Sequence, residues 1–185
     1  MSQFYHSNQR RIRANVHIRE LAATVNLNHK EFIQPLFLDE GINQQTPIAT
    51  LRGVNADTLD SILQQIESDV KAGISKFLLF PVPAKKGTSN FDYSFVTTAI
   101  KQIKKTFGNS VWIAPDVCLC AYTTHGHCGI LDAAGTKVLN DESVKELAGY
   151  ALQLAQSGAN CIAPSDMMDG RISAIRNILD TNRFD

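Results

Sequence analysis

Charge of one sign is what this sequence most plainly lacks. Its 18 Lys and Arg balance its 18 Asp and Glu, for a formal net charge of +0 at pH 7. No global field therefore recruits nucleic acid or an anionic membrane, and neither is expected as a partner. Long hydrophobic runs are missing as well, none approaching the ~20 apolar residues that span a bilayer. The opening Met1-Ser2-Gln3-Phe4-Tyr5-His6 has no hydrophobic signal core, so a cytoplasmic location is expected. Linkers, low-complexity tracts and internal repeats are absent too. What remains is an ordinary globular composition, 44% hydrophobic and 19% charged, in 185 residues. That length supports one sizeable core or part of a larger domain.

Cysteine is scarce, with four in the chain, and its distribution is uneven. Cys118, Cys120 and Cys128 fall in one stretch, spaced C-x-C-x7-C, with His125 and His127 just before the third. Four cysteines permit two disulfides, but the clustering and a reducing compartment favour metal binding. Thiolates select soft or borderline divalent ions, zinc above all. Three thiolates without an obvious fourth ligand suggest a zinc that keeps one position open, as catalytic zinc does. A structural zinc with His125 or His127 as fourth ligand is the alternative. A thiol redox pair at Cys118 and Cys120 is another, although C-x-C lacks the helix-start placement of C-x-x-C. Cys161, in an apolar stretch of its own, is expected to be a small buried hydrophobe.

Four apolar runs, at 32–38, 76–82, 111–115 and 159–164, alternate with amphipathic stretches at 57–71, 95–107, 141–156 and 171–180. The runs read as strands buried on both faces, the first weakened as a central strand by Pro35. The stretches read as helices, with Gly73, Gly108 and Gly158 as stops and Asn140 as a cap. Four consecutive β/α units predict an α/β fold with a parallel sheet. Such a sheet is either open or the first half of an eight-unit barrel. Residues 1–30, with Arg10, Arg11 and Arg13, read as an N-terminal arm, and 31–185 as the barrel segment.

In parallel α/β folds, polar groups at the strand ends that feed into helices form the site. Three segments qualify: Lys85-Lys86-Gly87-Thr88, Asp116-Val117-Cys118, and Ser165-Asp166-Met167-Met168-Asp169-Gly170-Arg171. Lys85 and Lys86 read as solvated loop charges, and the Met pair as packing. Asp116 is a metal ligand, a supporting acceptor, a binder of a substrate ammonium, or a strand-end cap. Ser165 and Asp166 are pocket residues if the barrel is real, and otherwise a turn in which Asp169 caps the last helix.

The runs Ala114-Pro115-Asp116-Val117-Cys118-Leu119-Cys120, Thr124-His125-Gly126-His127-Cys128-Gly129 and Ala163-Pro164-Ser165-Asp166-Met167-Met168-Asp169-Gly170-Arg171 closely resemble porphobilinogen synthase, or 5-aminolevulinate dehydratase. Ile33-Gln34-Pro35-Leu36-Phe37 and the basic arm fit the same family, and the match runs in order through nearly the whole chain. The resemblance implies a TIM (β/α)8 barrel lyase of haem biosynthesis, of which about the first four β/α units are present here. It implies condensation of two 5-aminolevulinate molecules to porphobilinogen with loss of water, through Schiff bases on two lysines. It implies catalytic Zn2+ on Cys118, Cys120 and Cys128, and a substrate pocket bordered by Asp116, Ser165 and Asp166. A second Zn2+ or Mg2+ site at His127, and a homo-octamer whose arms embrace neighbouring subunits, are implied as well. The loop Lys85-Lys86-Gly87-Thr88 departs somewhat from the commoner family pattern.

The two Schiff-base lysines are expected beyond Asp185, since no residue within the chain matches them. An alternative is a non-catalytic zinc-binding relative that associates with full-length subunits. The 185-residue chain alone is therefore expected to form no porphobilinogen from 5-aminolevulinate, and a colorimetric assay of the purified chain that detects sustained product contradicts this.

Overall fold

The computed structural model describes residues 9–184. Residues 1–8 of the expected arm, and Asp185, lie outside the described residues. Six strands form one sheet in the order β2-β3-β1-β4-β5-β6. They are β1 (Gln34–Asp39), β2 (Thr46–Pro47), β3 (Asn55–Asp57), β4 (Lys76–Val82), β5 (Trp112–Val117) and β6 (Ala163–Pro164). Neighbours β1/β4, β4/β5 and β5/β6 all pair in parallel. Between and after them run α2 (Leu59–Lys71), α3 (Ser94–Phe107), α4 (Asn140–Gln156) and α5 (Arg171–Thr181), while a short α1 (Val16–Leu21) lies in the arm. The four expected β/α units are present. The short β2 and β3 are additional: β3 pairs parallel to β1, and β2 pairs antiparallel to β3.

Strands β1 and β4 are not buried on both faces, as their apolar runs lead one to expect, whereas β5 buries Ile113, Ala114 and Pro115 in succession. In β4 burial alternates residue by residue, and β1 follows the same rule after its start. Side chains of a strand point alternately to its two faces. Leu36, Leu38, Phe77, Leu79, Ile113 and Val117 point to the helices and are fully buried with Ile62, Ile66, Ile100 and Leu147. On the opposite face Phe37 and Phe80 stack at 5.1 Å and stay half-exposed. Asp116 falls on that face as well, because Phe77 pairs with Ile113 and the alternation continues up β5.

Pro35 does not push β1 to an edge, since the strand lies between β3 and β4. Its missing N–H costs no ladder bond on one side, because β3 reaches β1 only at Phe37 and Leu38. Helix α2 is fixed at both ends. Thr58 and Ser61 form a reciprocal capping box, and Gly73 at φ +92° lets Ile74 N–H reach the Asp69 carbonyl at 2.9 Å.

Three expectations fail locally. Leu139, not Asn140, precedes α4, and the Asn140 side chain instead exchanges two hydrogen bonds with the Asp169 backbone, at 2.9 and 3.2 Å. Asp169 does not cap α5, which starts from Gly170 in the left-handed region with no side-chain cap. Cys161 is exposed rather than buried, because β6 is the edge strand and nothing packs over it. An open groove of about 540 Å³ runs along that edge, lined by Cys161, Ile162, Pro164, Ile172, Ile175 and Leu179 among others. The arm from residue 10 onward is exposed, including Ile12, Leu21, Val25 and Leu27.

Burial decides which substitutions matter. Ile100→Ala, at a position with no exposure, should cost about 2–5 kcal/mol in denaturant unfolding. Ile172→Ala, at an exposed position on the groove, should change stability by less than about 0.5 kcal/mol.

Candidate metal centre

Strand β5 delivers the site. It ends at Val117, and the next three residues are Cys118, Leu119 and Cys120. Leu119 has no exposure at all and anchors the segment in the core between the two cysteines. Its carbonyl accepts hydrogen bonds from both Tyr122 and Thr123 N–H, each at 2.9 Å, which closes a tight turn straight after Cys120. Tyr122 is buried on the far side of that turn. Its hydroxyl lies 3.1 Å from that of Tyr150 on α4, and Tyr93 stacks on Tyr150 at 3.9 Å while its own hydroxyl donates to Glu146. Burial pushes all three phenols well above their ordinary range, so they remain neutral hydrogen-bonding groups.

The chain then turns back. Thr123 forms a parallel bridge with Gly87 of the loop after β4, through Gly87 N–H to Tyr122 carbonyl (2.9 Å) and Thr124 N–H to Gly87 carbonyl (3.0 Å). Two of the three expected loops therefore meet directly. Lys85 and Lys86 are exposed there, as expected. Gly126, at φ +74°, makes the reversal that a residue with a Cβ resists, and Thr123 Oγ1 donates to the His127 carbonyl across it. Cys128 is thereby returned to Cys118 and Cys120. The Sγ atoms of Cys118, Cys120 and Cys128 all lie within 4.8 Å of one another.

The donors fit a divalent ion. Tetrahedral zinc with bonds of ~2.3 Å holds its sulfurs about 3.8 Å apart, within a small side-chain rotation of what is seen. The protein alone does not favour the thiolates. Burial, then the neighbouring Cys118, push the Cys120 thiol up to about 11, and burial raises Cys118 as well. A bound cation reverses that balance by compensating the charge. Among the described residues the group contains neither histidine nor any carboxylate. His127 Nδ1 accepts from Gly129 N–H at 3.0 Å, and His125 Nδ1 accepts from His127 N–H at 3.1 Å, so both rings first order the loop.

Beside the cysteines stands Asp116, half-buried, with the Ser165 side chain close enough to lower its pKa and its own charge felt by Cys120. Burial raises the Asp116 carboxyl, the Ser165 contact opposes this, and the charge of Asp166 adds to it. Ser165 is brought there by its own N–H, which donates to the Val117 carbonyl at 3.2 Å. Asp166 is buried and differently occupied. One oxygen accepts from Met168 N–H at 2.8 Å, and the other lies 3.3 Å from Arg171 Nε, an ion pair not aligned as a hydrogen bond. The Met pair splits: Met168 is 1% exposed and Met167 63%. A second cavity, of about 580 Å³, opens against the cysteine loop between Thr88, Ser89, His125, Ile130 and Asp132.

Tyr122 and Ser143 were not singled out in the sequence. Tyr122 had a signal, an aromatic two residues after the second cysteine. Ser143 had none, since a helical serine whose Oγ accepts from Ile130 N–H (2.8 Å) reads like any other.

A family model described as delta-aminolevulinic acid dehydratase matches residues 6–185. The delta-aminolevulinic acid dehydratase of Bacillus subtilis is 38% identical over 188 residues, covering 100% of this chain and 57% of that protein. That of Methanothermus sociabilis is 37% identical over 187 residues, covering 99% and 57%. Among solved structures, the Toxoplasma gondii enzyme in complex with the reaction product porphobilinogen superposes with a TM-score of 0.88 at 32% identity, over 97% of this chain and 52% of that one. The chain spans about half the length of each of these three relatives.

If the three sulfurs are the ligands, Cys120→Ser should weaken zinc binding on the order of a hundredfold or more in a chelator competition. Affinity in the unsubstituted chain should rise with pH across the neutral range, because thiols held above that range must lose protons to bind. Binding that is flat between pH 6 and 9 contradicts the assignment.

Proposed function

The chain belongs to the delta-aminolevulinic acid dehydratase family, and from that premise we propose that it carries the metal-binding half of a porphobilinogen synthase active site. The enzyme condenses two molecules of 5-aminolevulinate to porphobilinogen with loss of water. The observation that carries the reading is the convergence of the Cys118, Cys120 and Cys128 sulfurs beside the Asp116–Ser165 pair. Zinc held by the three cysteines supplies Lewis acidity toward a substrate oxygen or amine.

The chain's own residues do the positioning. Asp116, beside the cysteine site, pairs with the substrate ammonium. A half-buried carboxyl with a raised pKa accepts a proton more readily than an exposed one, which suits it to take one from that ammonium. Ser165, beside that carboxylate, is the neighbour that orients it. Asp166 holds the same loop by its hydrogen bond from Met168 N–H and its ion pair with Arg171. The lysines that form Schiff bases belong, on this reading, to the length of the relatives that this chain does not span.

His127 has Nε2 left over after Nδ1 accepts from Gly129, and we assign it to a second zinc or magnesium site. The exposed arm, with Ile12, Val16, Leu21 and Leu27 bare, packs on a neighbouring subunit in a homo-octamer. No helix among the described residues is long and apolar enough to cross a membrane, and we place the enzyme in the cytoplasm.

Cobalt substituted for zinc reports the site directly. Adding 5-aminolevulinate should shift the cobalt absorption bands, and Asp116→Ala should raise the concentration needed about tenfold, or ~1.4 kcal/mol. Bands unmoved at millimolar 5-aminolevulinate contradict the proposal.

A further inference from the structure

Gly129 directly follows the third cysteine and has almost no space around its Cα. A Cβ placed on it would stand 2.8 Å from Met168 Cε, 2.9 Å from Ser143 Oγ and 2.9 Å from Val138 Cγ1. Carbon atoms in ordinary contact sit about 3.5–4.0 Å apart, so any larger residue here would have to push Met168 and its neighbours aside. Met168 is one wall of that enclosure and is itself held tightly. Its N–H donates to Asp166 Oδ1 at 2.8 Å, and its carbonyl accepts from Arg171 Nη1 at 3.1 Å. Asp166 is preceded by Ser165, whose N–H donates to the Val117 carbonyl at 3.2 Å, next to Asp116.

A second connection runs through the first turn of α4. Asn140 clasps the Asp169 backbone, while Ser143 accepts from Ile130 N–H and donates to the Leu139 carbonyl at 2.6 Å. One helical turn thus holds the return segment of the cysteine loop and the turn after Asp166 against each other. Met168 is the side chain that fills the junction.

We propose that Met168 is a positioning residue that couples the three-cysteine site to the Ser165–Asp166 loop. The inference rests on the metal reading of those cysteines. Fixing Cys128 in a metal's coordination fixes Gly129, and Gly129 in its enclosure seats Met168 and the Asp166 turn behind it. Coupling between two sites is reciprocal, so loosening Met168 weakens the metal site although Met168 touches no sulfur. A Met that merely fills the core would alter stability and leave the metal affinity of the folded chain alone.

The test compares the full chain with Met168→Ala and Met168→Leu, using Co2+ as the probe. Circular dichroism checks folding, chelator competition gives affinity, and thiolate-to-cobalt absorption reports the ligands. Amide hydrogen exchange is followed at 165–170 with and without the ion. Met168→Ala should bind Co2+ about tenfold more weakly, within the usual range of coupling between sites, and Met168→Leu should recover most of the loss. In the unsubstituted chain Co2+ should slow exchange at the Met168 amide, 40 residues beyond Cys128. Wild-type affinity in a folded Met168→Ala chain, or protection confined to 118–130, overturns the proposal. If Met168→Ala does not fold, the exchange experiment on the unsubstituted chain decides alone. Absence of a thiolate-to-cobalt band in the unsubstituted chain instead defeats the metal reading beneath it.

Discussion

The site depends on the turn closed by the Leu119 carbonyl. With Leu119 sunk in the core and its oxygen accepting from Tyr122 and Thr123, the backbone leaving β5 has no freedom to continue straight. Cys118 and Cys120 flank a buried anchor, and so take their positions from the core rather than from a mobile loop. Tyr122, on the far side of the turn, extends that fixation through Tyr150 and Tyr93 to α4 and α3. Two sulfurs of the cluster are thus preorganised by packing, and only the third, on Cys128, has to be brought back by a loop. Preorganised groups bind with less conformational entropy to lose.

The same packing has an electrostatic cost that the protein alone does not offset. Three thiols lie within 4.8 Å of one another in a partly desolvated pocket, with Asp116 nearby adding negative charge. Each effect opposes ionisation of the next sulfur, which is why the Cys120 thiol stands near 11. A cluster built this way is stable as neutral thiols or as thiolates around a cation, and poor as free thiolates. That contrast separates it from a redox dithiol, which needs a lowered thiol pKa.

Much of this was legible in the sequence, for identifiable reasons. Helices α2 to α5 fall within a residue or two of the amphipathic stretches, because a 3.6-residue stripe and a glycine stop are local signals. The C-x-C-x7-C spacing pointed to three sulfurs that the fold does bring within 4.8 Å of one another. What failed depended on distant chain. Asn140 looks like a cap until Asp169 arrives to use its side chain, and Cys161 looks buried until β6 proves to be the sheet edge. Strands β2 and β3, at two and three residues, are too short to carry any periodicity. Arg183, at φ +62° after α5, occupies a position where glycine is the usual signal, so the end of that helix is legible from the apolar stripe alone and not from a stop residue.

The division of labour between core and loops explains where the polar residues sit. Alternation along β5 puts Asp116 on the face away from the helices, while Val117 fills the core beside it. Ser165 reaches Asp116 because its amide continues the parallel pairing one step past β6, onto the Val117 carbonyl. Both polar groups are therefore placed by backbone hydrogen bonds of adjacent strands, which vary little, rather than by long side chains. The cysteine loop and the Asp166 turn then have only to close over that pair, and the first turn of α4 gives each of them one fixed partner, Ser143 for Ile130 and Asn140 for Asp169. A site assembled in this order gains its precision from the sheet and its closure from one helix end. The two loops thus share the first turn of α4 as a common support, with Ser143 bonded to one and Asn140 to the other.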